Sequence, residues 1–235
     1  MTSNTRVAVI AGAGPGNGQA LAQRFAEAGY SVALLARNAS KVEALAAELT
    51  GARGYSCDVG DPASVSAAFA SIRHDLGEVD TLVFNAGSGV FADIETITPV
   101  QFEASWRVNA FGGLLCSKEV MPAMIQRGSG NIVFIGATAS RRGGIKTAAF
   151  APAKAAQRSL AESMARALWP KGIHVAMIVV DGIVDSADAR GWMKDRPPEG
   201  FVSPDGVAET AFFLTQQNRK AWAFEVEARP AIEQW

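Results

Sequence analysis

Histidine, cysteine and tyrosine are scarce in this chain of 235 residues, with two of each. Cys57 and Cys116 are too few and too far apart in sequence for a disulfide framework or a spaced metal site. Both read as buried small apolar residues, and no metal is expected. No run of about 18 apolar residues occurs, and the opening segment MTSNTRVAVI has no long apolar signal core. A soluble, cytoplasmic protein is expected. Nor is one sign of charge in surplus: 22 basic residues stand against 23 acidic ones, a formal net charge of -1. The basic residues are dispersed rather than gathered on one stripe, so the electrostatic footprint of a nucleic-acid binder is missing and a small-molecule partner is expected.

Apolar residues are plentiful, at 49% of the chain, and they fall in short β-rich runs that alternate with longer alanine-rich ones. RVAVIA, SVALLA, TLVFNA, NIVFIG and HVAMIVV read as strands. Lacking polar alternation, they must be buried on both faces, which calls for parallel strands covered by helices on both sides. Helices are expected over residues 18–28, 40–49, 62–76, 99–126, 148–169 and 204–218, with Ser40 as an N-cap and Pro62 and Pro99 as first-turn prolines. With no linker, repeat or low-complexity tract, the pattern predicts one doubly wound α/β domain over residues 1–235. The aperiodic stretch at about 183–203, which contains VDSADARGWMKDRPPEGF, reads as a substrate lid.

In VAVIAGAGPGNGQALAQRFAEAGY a strand leads through a glycine-rich turn into an amphipathic helix. Glycines there let the backbone approach a pyrophosphate, and helix N-terminal amides hold its charge. The spacing G-x-G-x-x-G is not met, because Asn17 stands where the third glycine would fall; Gly12, Gly16 and Gly18 give G-x-x-x-G-x-G instead. In this the sequence resembles the short-chain dehydrogenase/reductase family, and further matches follow in order. CDV places Asp58 and Val59 after the third strand, where the family's acid meets the adenine amino group. FNAG places Asn85, Ala86 and Gly87 after the fourth, as in the family's NNAG. RVNAFG puts Asn109 at the family's VN position, and Lys154 stands as the family's lysine. VVDGIVDS, with Gly182, Ile183 and Ser186, is similar to the family's Pro-Gly segment after the sixth strand, Ser186 falling where a threonine often touches the cofactor.

The resemblance implies a Rossmann-type fold, a nicotinamide cofactor, a carbonyl or alcohol small molecule as substrate, and a homodimer or homotetramer built on the long fourth and fifth helices. Where the second strand ends in LLARN, neutral Ala36 is followed by Arg37. A guanidinium there can pair with a ribose 2′-phosphate that no carboxylate repels, which favours NADP(H) over NAD(H).

In the resembled family a tyrosine transfers the proton and a serine holds the substrate oxygen. A lysine binds the nicotinamide ribose and lowers the tyrosine pKa, and an asparagine supports a water beside the lysine. Asn109 and Lys154 are present, but the tyrosine position in FAPAK holds Phe150 and the serine position in IVFIGATAS holds Ala137. Phenylalanine has no proton to give and alanine no hydroxyl, so the family mechanism cannot run unaltered. Tyr30 and Tyr55 fall on strands two and three, away from this site. His74 and His174 fall at the N-terminal edge of the sheet, opposite the edge where ligands bind.

The substitutes at hand are Thr138 and Ser140, which flank Ala137, Lys154 itself, and Asp181, which stands where the family has proline. The plain alternatives are a turn-stabilising role for either hydroxyl and a turn cap for Asp181. Arg141, Arg142 and Lys146 either receive an acidic substrate or form a solvated run. Trp192 and Met193 are placed to cover an apolar substrate, while Trp106, Phe111 and Trp169 read as core or interface. Two functions stay open: an NADP(H)-dependent oxidoreductase with rerouted proton transfer, and a catalytically inactive NADP(H)-binding protein acting as sensor or assembly partner. Lyase or isomerase chemistry on the same fold, without net hydride transfer, is a third.

Overall fold

The computed structural model describes residues 5–233. Along the chain, β1 (Val7–Ala11) leads to α1 (Asn17–Glu27), β2 (Ser31–Ala36) to α2 (Ala39–Ala47), β3 (Ala52–Ser56) to α3 (Pro62–Leu76), and β4 (Val79–Phe84) to α4 (Pro99–Trp106) and α5 (Gly112–Arg127). β5 (Gly130–Ile135) precedes α6 (Phe150–Leu168), β6 (Ile173–Val180) precedes α7 (Ala187–Trp192) and α8 (Pro204–Thr215), and β7 (Glu225–Ala228) follows. The seven strands form one parallel sheet in the order β3-β2-β1-β4-β5-β6-β7. This is the Rossmann-type, doubly wound sheet that the strand and helix alternation predicts.

Successive strand residues point to opposite faces, and here both faces are apolar. Val7, Val9 and Ala11 join one buried cluster with Leu35, Phe84, Phe134 and side chains of α3, α5 and α6. Ala8 and Ile10 join the other with Leu34, Val83 and Ile178, under Leu21 and Phe25 of α1 and Leu214 of α8. That double burial is why the strand runs lack polar alternation. From β1 the chain winds outward to β2 and β3, then returns past β1 to β4. The loops after β1 and β4 therefore diverge at the carboxyl edge and leave a crevice between them.

Pro62 and Pro99 do open α3 and α4, capped by the side chains of Asp61 and Thr98. Other expectations need correction. The helix expected over 99–126 is α4, a π-helical turn at Arg107–Phe111, and α5. Asn109 explains the interruption: its Nδ2 donates to Ser105 O four residues back at 2.9 Å, and the Gly112 N–H reaches five residues back to Arg107 O. A side chain that competes for a helix carbonyl shifts the ladder in this way. Ser40 does not cap α2; Asn38 does, its Oδ1 accepting from Lys41 N at 3.0 Å, while Ser40 Oγ donates to Asn38 at 2.9 Å. The last helix stops at Thr215 rather than 218, and the 183–203 stretch carries its own short helix, α7. β7 was not anticipated. It pairs with β6 in the register Ile178↔Val226.

Candidate active site

At the crevice, Gly12 turns the chain out of β1 with φ +94°, and a Cβ on it would stand 2.5 Å from Ala86 N. Only glycine lets the two diverging loops touch this closely. Asn85 Nδ2 fastens the contact by donating to Gly12 O at 2.8 Å. A Cβ on Gly18 would stand 2.6 Å from Gly12 O, so the turn also packs tightly against α1. No side chain caps α1 at Gly16, which leaves the Asn17 and Gly18 N–H groups for an anion. Beyond the turn lies a cavity of about 670 Å³ lined by Gly12, Gly14, Arg37, Asp58, Val59 and Asn85–Gly87. A second cavity of about 890 Å³ shares Gly14 and Arg37 with it and adds Lys41.

Lys154, Asn109 and Gly87 meet at the inner end of the crevice. Lys154 is buried on α6 and donates to Ile135 O at 2.9 Å and to Gln157 Oε1 at 3.2 Å. A Cβ on the cavity-lining Gly87 would stand 3.8 Å from Lys154 Nζ and 3.3 Å from Asn109 Oδ1. Burial alone pulls the lysine down from 10.5 to about 8, because a low-dielectric site disfavours the ammonium. Among the described residues, the buried oxygens Asn109 Oδ1 and Asn17 Oδ1 accept no hydrogen bond. Buried acceptors left without donors are costly, and the hydroxyl and amide groups of a bound dinucleotide would supply such donors. The crevice, its open helix N-terminus and these two acceptors fit a dinucleotide.

At the tyrosine position, the Phe150 ring centroid lies 6.0 Å from Lys154 Nζ and 5.4 Å from the ring of Phe91. Of the other candidates, Thr138 and Asp181 are already engaged, whereas Ser140 accepts a hydrogen bond and keeps its own O–H. Thr138 Oγ1 donates to Asp181 Oδ1 at 2.5 Å, and Ser140 Oγ accepts from Ala137 N at 3.1 Å. Asp181 caps no turn: Arg229 donates to its Oδ2 at 2.7 Å and Arg142 stands 3.6 Å from its Oδ1. Arg141 is held by Glu225 at 2.7 Å and by Glu227, and Arg158 donates to Glu225 at 2.5 Å. The guanidinium of Arg141 is thereby neutralised from within.

Gly182, Ile183 and Ser186 lie on the loop after β6, which folds back on the glycine turn: Val184 Cγ1 is 3.7 Å from where a Cβ on Gly16 would be. The Ser186 side chain starts α7 by accepting from Ala189 N at 3.1 Å. His174 is buried, with its two ring nitrogens hydrogen-bonded to Leu214 O and Ala223 O at 3.0 and 2.8 Å. His74 lies on the exposed end of α3, and Tyr55 donates to Asp75. Both cysteines are buried, and burial pushes their thiols up, Cys57 to about 11. Gln157, Lys41, Glu225, Glu227 and Arg229 were not singled out. Only Gln157 carried a local signal, a polar residue three positions beyond Lys154 on an alanine-rich helix.

A family model described as short chain dehydrogenase matches residues 6–196. D-threitol dehydrogenase of Mycolicibacterium smegmatis is 30% identical over 221 residues, 89% of this chain and 85% of that protein. A protein of Xanthobacter autotrophicus named inactive 2-(S)-hydroxypropyl-CoM dehydrogenase 2 is 34% identical over 209 residues, 83% of this chain and 90% of the relative. A metagenomic short-chain oxidoreductase solved in complex with NADP matches with a TM-score of 0.83 at 27% identity, over 97% of this chain and 98% of that one. The chain belongs to the short-chain dehydrogenase family, a class of oxidoreductases that exchange hydride between a nicotinamide dinucleotide and alcohol or carbonyl small molecules.

Proposed function

We propose that this chain is an NADP(H)-dependent oxidoreductase of uncharged, apolar carbonyls or alcohols, with Lys154 supplying the proton that a tyrosine supplies elsewhere in the family. The observation that carries this reading is the state of Lys154. It is buried, lowered to about 8, and its third N–H finds no acceptor among the described residues. An acid of that strength suits proton transfer near neutrality far better than an ordinary lysine does. Gly12, Gly16, Asn17, Gly18, Asp58, Val59, Asn85–Gly87, Gly182, Ile183 and Ser186 would hold the dinucleotide, with Arg37 on the 2′-phosphate. Bound there, the nicotinamide supplies or takes up the hydride. In reduction, Lys154 gives one proton to the carbonyl oxygen as the alcohol forms, then regains it from solvent through the cleft. Asn109 fixes the crevice wall beside it.

The substrate class follows from the rim. Phe91 is 66%, Ile145 88% and Trp192 82% exposed, on loops leaving the carboxyl ends of the adjacent strands β4, β5 and β6. A bridge between Ala92 and Thr147 joins the first two loops. Of the three basic residues expected at the mouth, Arg141 is tied to β7, Arg142 stands beside Asp181, and Lys146 is exposed. We further place the chain in the cytoplasm as one domain with residues 183–203 as lid, assembled as a homodimer or homotetramer. Half-exposed Phe102 and Trp106 on α4 support that assembly.

The test is NADPH oxidation against a panel of apolar and charged aldehydes and ketones, followed as a function of pH. Reduction should favour apolar substrates and fade as pH rises through about 8, and Lys154→Met should lose the reduction at every pH. A second reading, an NADP(H)-binding protein without turnover, is favoured by the engagement of Thr138 and Asp181 and by the relative named inactive. Tight NADPH binding with no oxidation across the panel would select it.

A further inference from the structure

Gln157 is a fully buried amide in a helix whose other buried side chains are Lys154, four alanines, Met164 and Leu168. Three residues beyond Lys154, it stands beside that lysine on the same face of α6. Its Oε1 accepts from Lys154 Nζ at 3.2 Å and its Nε2 donates to the main-chain oxygen of Asn109 at 2.9 Å. An ammonium can only donate and a peptide carbonyl only accept, so the orientation of the amide is fixed by its partners.

We infer that Gln157 is a positioning residue for Lys154: its carboxamide closes the inner side of the ammonium and leaves the proton one exit, into the cleft beside Gly87. The inference rests on the reading of Lys154 as proton source. Lys154 has three N–H groups, and the inner two end on Ile135 O and Gln157 Oε1. Neither oxygen carries a proton to give, and an amide does not titrate in this pH range. The resemblance implied a water between the asparagine and the lysine, which would pass protons in either direction. Here an amide links the Asn109 carbonyl and Lys154, and it passes none.

The elements packed on the lysine bring no charge to it. The end of β5 contributes Ile135, the π-helical turn Asn109, the loop after β4 Gly87, and the start of α6 Phe150. Burial is the single cause that displaces its pKa. Gln157 Oε1 is a side-chain dipole in direct contact with the ammonium that a substitution can alter.

The experiment follows the Lys154 side chain by NMR titration in the protein without cofactor, its signal assigned by loss in Lys154→Met. Removing a hydrogen bond to a charged group shifts its pKa by about 1–2 pH units. Gln157→Leu should therefore lower the Lys154 pKa by about that much, and Gln157→Glu should raise it by at least as much. Should the leucine variant not fold, Gln157→Glu and the wild type still decide the sign. A lysine titration unmoved in both variants, whatever their melting temperatures, overturns the inference and leaves Gln157 as a strut between α6 and the π-helical turn. A titration that moves in a protein showing no turnover on the carbonyl panel upholds the positioning role while removing the proton-source reading, so the two failures are separable.

Discussion

Replacing Lys154 by methionine should make the protein more stable at neutral pH and less stable in alkali. The fall of the lysine from 10.5 to about 8 corresponds, at about 1.36 kcal/mol per pH unit, to about 3 kcal/mol of destabilisation by the buried ammonium. The folded pKa lies below the unfolded one, so between pH 8 and 10.5 the unfolded chain binds more protons and wild-type stability rises with pH. Below pH 8 the whole penalty applies. Methionine carries no such charge, but it strips the donor from Ile135 O and Gln157 Oε1, at about 1 kcal/mol each. Lys154→Met should thus gain about 1 kcal/mol over wild type at about pH 7 and lose about 2 kcal/mol at about pH 10.5. Urea unfolding of both proteins without cofactor at the two pH values measures the crossover. A variant destabilised equally at both would refute the claim that burial of a charge dominates this site.

Restoring the missing hydroxyls tests the rest of the cleft. Ala137→Ser with Phe150→Tyr should raise carbonyl reduction by on the order of 10²–10⁴, either single change by much less, and an unaltered rate would show that the geometry around Lys154 is no longer suited to a phenol. Arg37→Ala should weaken NADPH binding roughly tenfold or more while leaving NADH alone, as read by fluorescence titration, since a charge-assisted hydrogen bond to the phosphate is lost. Glu225→Ala removes the shared partner of Arg141 and Arg158 and should cost about 1–2 kcal/mol in thermal or urea unfolding, because these pairs are only partly screened by solvent.

Periodicity made the strand set readable because burial on both faces imposes one rule on the central residues of β1, β2, β4, β5 and β6. The glycine turn was equally readable, since Gly12 and Gly18 answer to backbone contacts that admit no Cβ. What escaped depended on partners distant in sequence or on competing local bonds. β7 is four residues long with glutamates at alternate positions, and its pattern makes sense only beside Arg141 and Arg158. Asp181 read as a turn cap or a new acid because Arg229, 48 positions later, could not be connected to it by spacing. The π-helical turn hinges on which carbonyl Asn109 chooses, and Ser40 lost the cap of α2 to Asn38 because two capping residues stood within one turn. Phe150 and Ala137 were plain from the sequence; the engagement of Thr138 by Asp181 was not.

The pairing of β7 with the loop after β5 makes the entrance to the cleft a property of the far end of the chain. Glu225 and Glu227 cancel the charge of Arg141 where apolar side chains such as Ile145 meet solvent. Shortening the protein ahead of β7 would expose that guanidinium, and neutralising the two glutamates would do the same without altering length. On the proposed reading of an entrance for apolar molecules, that change would draw in anions instead, so β7 would govern which molecules enter.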